Sequence, residues 1–433
     1  MSEREQSEPG ARPYVLISSD GHAGADLLDY RPYLEKEFHA EFDAWAADFN
    51  EPWADYDKEL VDTDDEYIRI GQASFLSPYN WDNEQRLEHL NSQGIAGEVV
   101  LPNTVPPFYP AAVISAWAPQ TAEEYRLRQA GVKAHNRWLA EFCDKAPGRR
   151  AGLAQVFLND IDETVAEVRW AHEHGLKGVL IPADHMMQLV NLFEPRLDPF
   201  WAVCQELSMP VHRHAIAVGV PESEEAGPAA AALGGHETYL FFQRGLGHLI
   251  FGGVFERFPE LQFVFTETNC GWVERELQAL TIEAMMAAKG GSAYPTHHKA
   301  IEALSLTPTE YFQRNVHLGT SLMVGADVEA RHTLGTDRLM WGADYPHHEG
   351  LFPHTRLGLR ALFAHVPEAD VRKMTSENAA ELYGFDLDAL QTVADEIGPT
   401  VEEVATPVAP EEFPEVSLSI TVMEAKHRVT AAH

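Results

Sequence analysis

Five residues of this chain have the types and the placement to hold a divalent metal ion and to do chemistry beside it. Asp20 and His22 stand two apart at the end of the run Val15-Leu16-Ile17-Ser18-Ser19. Alternate residues of a β-strand share a face, so a carboxylate and an imidazole project together from that strand's end. His214 closes the run Pro210-Val-His-Arg-His, Glu267 closes Leu261-Gln-Phe-Val-Phe-Thr-Glu, and Asp344 closes Arg338-Leu-Met-Trp-Gly-Ala-Asp. One polar residue at one strand end is ordinary. Four or five of them, each ending a separate apolar run, make a pattern. Two carboxylates and two imidazoles suit a hard-to-borderline ion, Zn²⁺ or Mn²⁺. Such an ion lowers the pKa of bound water towards about 7 and polarises a carbonyl. Asp344 could take that water's proton and pass it to a leaving group, with Glu267 orienting substrate or serving as a second acid/base. The same site could instead bind a substrate carboxylate and stabilise the charge left when CO₂ departs, with Asp344 supplying a proton to carbon. The plain alternatives are a hydrogen-bonded core histidine at 214 and a structural ion pair at 267.

Placing these residues at one end of one fold requires a particular alternation of elements. Strands are expected at 14–20, 97–101, 152–158, 177–181, 210–214, 261–267, 316–319 and 338–344. Helices are expected at 82–94, 121–146, 160–174, 198–207, 237–257, 271–288, 354–364 and 367–383. The unit at 160–181 is the clearest: Asp160 and Glu163 have capping-box spacing, Gly175 stops the helix, and Lys177-Gly-Val-Leu-Ile follows at once. Strand–helix–strand with such short links is a parallel crossover. Eight strands alternating with helices predict a closed (β/α)8 TIM-type barrel over residues 14–385, whose active site would form at the strands' C-terminal ends. An open doubly wound sheet would show a Gly-rich loop after strand one, and there is none. Residues 1–13 read as a flexible arm. Residues 24–80, acidic and aromatic, read as a long, partly helical insertion after strand one that could form a lid. Residues 386–433 read as an extended tail. His347, following Asp344-Tyr-Pro, His185 after the fourth strand and His317 on the seventh are candidate substrate contacts.

Composition narrows the function classes. The chain has 433 residues and a formal charge of -35, from 67 acidic and 32 basic residues. Phosphate recognition needs Lys and Arg clusters, so neither nucleic acid nor an anionic membrane is an expected partner. The three cysteines, Cys143, Cys204 and Cys270, form no Cys-x-x-Cys pair, which fits reduced thiols in the cytoplasm. Met1 to Pro13 is polar and unlike a signal peptide, and no apolar run approaches the ~18–20 residues of a spanning helix.

The motifs together resemble a known family. Asp20-Gly-His22, Pro210-Val-His-Arg-His214, Phe251-Gly-Gly-Val-Phe-Glu-Arg-Phe-Pro259, Trp341-Gly-Ala-Asp-Tyr-Pro346 and Asn378-Ala-Ala-Glu-Leu-Tyr-Gly384 look like the amidohydrolase superfamily. More narrowly, they resemble the branch related to aminocarboxymuconate-semialdehyde decarboxylase. The resemblance implies a (β/α)8 barrel and one divalent metal, with Asp20, His22, His214 and Asp344 as ligands carried over by motif. It also departs from that branch twice. Strand one often carries His-x-His, and here the first member is Asp20, which adds negative charge and favours Mn²⁺ over Zn²⁺. Strand six of the decarboxylase ends in histidine, and here it ends in Glu267. The leading expectation is a metal-dependent hydrolase of a small organic substrate. The alternatives are a metal-dependent decarboxylase of an aromatic or unsaturated carboxylic acid, and a barrel serving only as a scaffold. The resemblance and the long tail point to a homodimer or a larger homo-oligomer.

Overall fold

The structure, a computed structural model, describes residues 11–50, 77–110, 118–183, 190–215, 228–288 and 295–431. Its strands are β1 (Leu16–Ala23), β2 (Ile95–Pro102), β3 (Arg150–Gln155), β4 (Gly178–Leu180), β5 (Val211–His214), β6 (Phe263–Thr266), β7 (Val316–Thr320) and β8 (Leu339–Trp341). All are parallel and hydrogen-bonded in chain order. The residues after β8 close the circuit on β1. Asp344 donates its N–H to the Asp20 carbonyl at 2.9 Å, and His22 donates to the Tyr345 carbonyl at 2.7 Å. The fold is therefore a (β/α)8 barrel.

Strand alternation builds two layers. Ile17, Val99, Leu101, Leu153, Leu180, Val264 and Met340 fill the barrel interior. Leu16, Val100, Val179, Val211, Phe263, Phe265 and Trp341 face the surrounding helices. Both faces of every strand are buried, which is why the strands read as nearly continuous apolar runs. The helices include α1 (His39–Asp48), α2 (Asn83–Ser92), α3 (Ala122–Asp144), α4 (Ile161–Glu173), α5 (Asp198–Glu206) and α6 (Pro228–Phe251). Their starts are set by side-chain caps: Asp82 accepts from the Glu84 and Gln85 N–H groups, Thr121 forms a capping box with Glu124, and Asp160 accepts from Glu163. The strand bounds match the sequence reading to within three residues, and α6 starts nine residues earlier than expected.

The insertion is helical in its described part, as read, and the C-terminal segment differs from its reading. The described part of the 24–80 insertion is helical, and it packs Leu34, Phe38 and Phe42 against Phe108 of the loop after β2 and against Ala130 and Ala134 of α3. Residues 51–76 of that insertion lie outside the described residues. Residues 386–431 are not extended. They form helices that return to the barrel, Leu387–Ile397, Val401–Val404 and Ile420–Ala431. Leu390 and Ala394 join Ala379, Ala380 and Tyr383 under the interior layer, and Val422 and Ala425 are fully buried. The physical reason is a spacing that acidic composition hides. Leu387, Leu390, Ala394 and Ile397 recur every three or four residues, one face of a helix.

Candidate metal centre

The site forms where β1, β5, β6 and the end of β8 converge. On β1 the pairing with β2 shifts register between Ser18 and Gly21. Ser18 holds this irregularity: its hydroxyl donates to the Asp20 carbonyl at 2.7 Å and accepts from the Ala343 N–H at 2.8 Å. Asp20 and His22 then meet, with His22 Nε2 3.2 Å from Asp20 Oδ1 and 3.2 Å from Asp344 Oδ1. All three are fully buried. His214 ends β5, and its Nε2 lies 2.9 Å from Glu267 Oε2 and 3.9 Å from Asp20 Oδ1. Asp344 and Glu267 both adopt left-handed backbone, φ 55 and 54, a conformation that costs an L residue on the order of 1–3 kcal/mol. It turns each carboxylate inwards at a strand end. Gly342 makes room for the turn, since a Cβ there would lie 3.0 Å from the Asp20 Cβ.

The imidazoles are set for a cation. His22 Nδ1 lies 3.3 Å from the Pro102 carbonyl, and His214 Nδ1 lies 2.6 Å from the Ala215 carbonyl. A carbonyl only accepts, so each Nδ1 carries a hydrogen and each Nε2 is the atom offered to the centre. Beyond these contacts with one another, Asp20 Oδ1 and Oδ2, His22 Nε2, His214 Nε2 and both Asp344 carboxylate oxygens are buried without a hydrogen-bond partner. So many orphaned donor atoms at one point would be costly unless a ligand satisfies them. A divalent cation fits this donor set. Ligand atoms of Asp20, His22, His214 and Glu267 lie within 4.8 Å of one another, as do those of His22, Glu267, Asp344 and His347. His22 and Glu267 belong to both groups.

Charge inside the site follows from these contacts. Burial works against a charged His22, but Asp20 and Asp344 outweigh it and hold its pKa well above the usual 6.5. His214 is raised in the same way, with burial opposed by Glu267 and Asp20. Burial raises Glu267, helped by Asp344 and Asp20 and opposed by His214. Asp344 stays low despite burial because His347 and His22 face it. Positive charge is thus favoured at this point from every side.

His347 is the residue whose role the sequence understated. Its ring stacks on His22 with centroids 4.1 Å apart, and its Nδ1 lies 3.0 Å from Asp344 Oδ1. A chain of amides orients it. Asn80 Nδ2 donates to the Ser77 carbonyl, Asn103 Nδ2 donates to Asn80 Oδ1 at 2.7 Å, and Asn103 Oδ1 sits 2.9 Å from His347 Nε2. Because that chain ends on a carbonyl, its direction is fixed and His347 Nε2 is the donor to Asn103. Nothing in local sequence pairs Asn103 with His347; the loop after β2 brings them together.

The remaining candidates divide. The structure does not bring His317 to the centre. It stands level with Val264 and His212, one layer below His214 and Thr266, and its Nε2 lies 3.2 Å from Gln262 Oε1. The reason is register: residue 319, a glycine, occupies the upper position. His185 lies outside the described residues. His212 faces down, between Thr266 Oγ1 and the Tyr383 hydroxyl.

An amidohydrolase family model matches residues 38–385. The chain belongs to the amidohydrolase family. This amidohydrolase is 26% identical over 269 residues to gamma-resorcylate decarboxylase of Rhodococcus jostii (strain RHA1), which is 58% of this chain and 75% of that protein. Among solved structures it resembles 5-carboxyvanillate decarboxylase from Sphingomonas paucimobilis, at 20% identity and TM-score 0.55, over 86% of this chain and 100% of that one. It also resembles 5-carboxyvanillate decarboxylase from Novosphingobium aromaticivorans, complexed with manganese and 4-hydroxy-3-methoxy-5-nitrobenzoic acid. That match has 19% identity and TM-score 0.60, over 86% of this chain and 96% of that one. The likeness to gamma-resorcylate decarboxylase overturns the hydrolase expectation and supports its decarboxylase alternative, while the solved structures bear out the fold. The physical reason for the error is that a metal, a carboxylate and a histidine serve both reactions, and a fold does not choose between them. Among the described residues, no helix is long and apolar enough to cross a membrane.

Proposed function

We propose that this amidohydrolase is a metal-dependent decarboxylase of a small aromatic carboxylic acid. The observation that carries the reading is the cluster of orphaned Asp20, His22, His214 and Asp344 atoms at the strand ends of a chain related to gamma-resorcylate decarboxylase. These four residues would hold one divalent ion, with Glu267 close enough to join them. Carboxylate oxygens outnumber imidazole nitrogens in that set, which favours Mn²⁺ over Zn²⁺.

A bound divalent ion would supply electrostatic stabilisation of negative charge developing on the substrate. The chain's own residues supply the rest. Asp344, held ionised by His347 and His22, relays to the ring carbon a proton taken from the His347 imidazolium as the carbon–carbon bond to the carboxylate breaks, so that CO₂ leaves and a C–H bond replaces it. His347, whose Nδ1 faces Asp344 Oδ1, holds that carboxyl group and is oriented for the task by Asn103. Glu267, raised by burial, carries a proton more readily than an ordinary glutamate and serves as second acid or as a substrate-orienting group.

The test is elemental analysis of the purified protein, followed by CO₂ release from a panel of hydroxybenzoic acids by the manganese-loaded enzyme. About one metal per chain and CO₂ from at least one acid support the reading. Metal uptake with no CO₂ from any acid, and turnover of an ester or lactone instead, would overturn it. A homodimer or larger assembly belongs to the same proposal and is read by light scattering of the loaded enzyme.

A further inference from the structure

Two metal-ligand segments of the barrel are held together by a buried cluster that takes no part in the reaction. Arg86, on α2, is fully buried. Its Nε and Nη2 grip the Glu98 carboxylate of β2, with Nη2 2.7 Å from Oε2. Its Nη1 donates to the His22 carbonyl at 2.7 Å and to the Tyr79 carbonyl at 3.0 Å. The guanidinium carbon lies 4.8 Å from the centroid of the Tyr345 ring. Tyr345 follows Asp344, accepts the His22 N–H through its carbonyl, and meets His89 Nδ1 through its hydroxyl at 2.7 Å.

This matters because of where it sits. Every other neighbouring pair of strands in the barrel shares a ladder, but among the described residues β1 and the end of β8 share none: they meet through an isolated bridge between Gly21 and Tyr345, the Asp344 N–H to Asp20 bond, and the Ser18 and Ser19 hydroxyls, which bond Ala343 and Met340. The barrel's seam therefore runs between the ligands Asp20 and His22 on one side and Asp344 on the other. Arg86 touches the main chain of the first side and the ring of the second. Gly21 permits the close approach, since a Cβ there would lie 3.1 Å from Glu98 Oε2 and 3.4 Å from Arg86 Nη2. A planar guanidinium can serve a carboxylate, two carbonyls and an aromatic face at once, and an ammonium cannot.

We infer that Arg86, clamped by Glu98, is a positioning residue that fixes His22 and Asp344 relative to each other across the seam and so sets the metal affinity of the site. The inference rests on the metal-dependent reading of the site. Arg150 provides a control from within the same cluster. It also binds Glu98, through Nε at 3.0 Å, but its Nη1 goes to Asn83 Oδ1 and the Phe142 carbonyl, not to His22 or Tyr345.

The experiment measures Mn²⁺ affinity by calorimetric titration of the full chain, wild type beside Arg86→Lys, Arg86→Met and Arg150→Lys. Circular dichroism melts confirm that each variant is folded, and the Mn²⁺ electron paramagnetic resonance spectrum reports the ion's surroundings. Removing a group that orients a metal ligand weakens binding by roughly 10- to 100-fold. That loss, with an altered spectrum, is expected for Arg86→Lys, while Arg150→Lys lowers the melting temperature and leaves Mn²⁺ affinity within about twofold. If Arg86→Met does not fold, Arg86→Lys carries the test. Wild-type affinity and spectrum in Arg86→Lys would overturn the inference, as would equal weakening in Arg150→Lys, which would mean the cluster acts through stability alone. A wild-type protein that takes up no divalent ion would overturn the proposed function as well, and that outcome is read in the wild-type titration by itself.

Discussion

Asp344 donates its backbone N–H to the carbonyl of Asp20 at 2.9 Å, so the proposed ligand that follows β8 is pinned to the proposed ligand of β1 through the main chain. Their carboxylates then lie on either side of His22 Nε2. Removing the charge of one without changing its shape is the direct probe of this arrangement. Asp344→Asn should lower kcat for CO₂ release by at least about 10²-fold, the scale of a lost proton donor. His214→Ala should lower metal content first. Rates and bound metal measured on the same samples separate the two effects, and a fully active Asp344→Asn would remove Asp344 from the reaction.

Metal binding should strengthen as pH rises. Without a metal, His22 and His214 are held above their usual pKa by facing carboxylates. A raised imidazole pKa stabilises the metal-free fold below the unfolded value, about 6.5, and that contribution fades as pH rises through the folded value. The ion must displace the same protons, so it competes best at high pH. Thermal melts with and without Mn²⁺, at about pH 6 and about pH 8, should show the larger metal-induced rise at the higher pH. An equal or smaller rise there would contradict the assignment of these imidazoles as ligands.

His347 depends on Asn103 for its orientation. Asn103→Leu removes the acceptor at 2.9 Å from His347 Nε2 while keeping the side chain's approximate size. The expected outcome is a roughly 10- to 100-fold fall in kcat with metal content unchanged. Loss of metal instead of rate would make His347 a support of the ligands and not of the proton donor.

The C-terminal helix Leu387–Ile397 should be part of the fold's stability. Leu390 is buried beneath the barrel interior, so Leu390→Ala should cost about 2–5 kcal/mol in a denaturant melt. Mn²⁺ affinity should stay within about twofold, because the helix closes the end of the barrel opposite the site. A neutral substitution would mean that the segment is dispensable.

The fold was legible because both faces of each strand are buried, which leaves apolar runs too regular to miss, and because Asp82, Thr121 and Asp160 mark helix starts. The donor residues were legible because each interrupts such a run at its end. What the sequence hid was lateral. On α2 the buried residues are Arg86 and Leu90, a charged side chain taking an apolar position. An arginine four residues before a core leucine was the available signal. His317 was misplaced because two residues of register separate the active layer from the one beneath it. The partnership of His347 with Asn103 depends on a loop path, and no spacing encodes it.

The proposed decarboxylation replaces a carboxylate by hydrogen. It is tested most directly by turning over a hydroxybenzoic acid with the manganese-loaded enzyme in deuterated water, and separately in water labelled with heavy oxygen. Decarboxylation gives CO₂, a product carrying deuterium at the vacated ring carbon, and no labelled oxygen bonded to it. A product with labelled oxygen at the cleaved bond, and no CO₂, would contradict it.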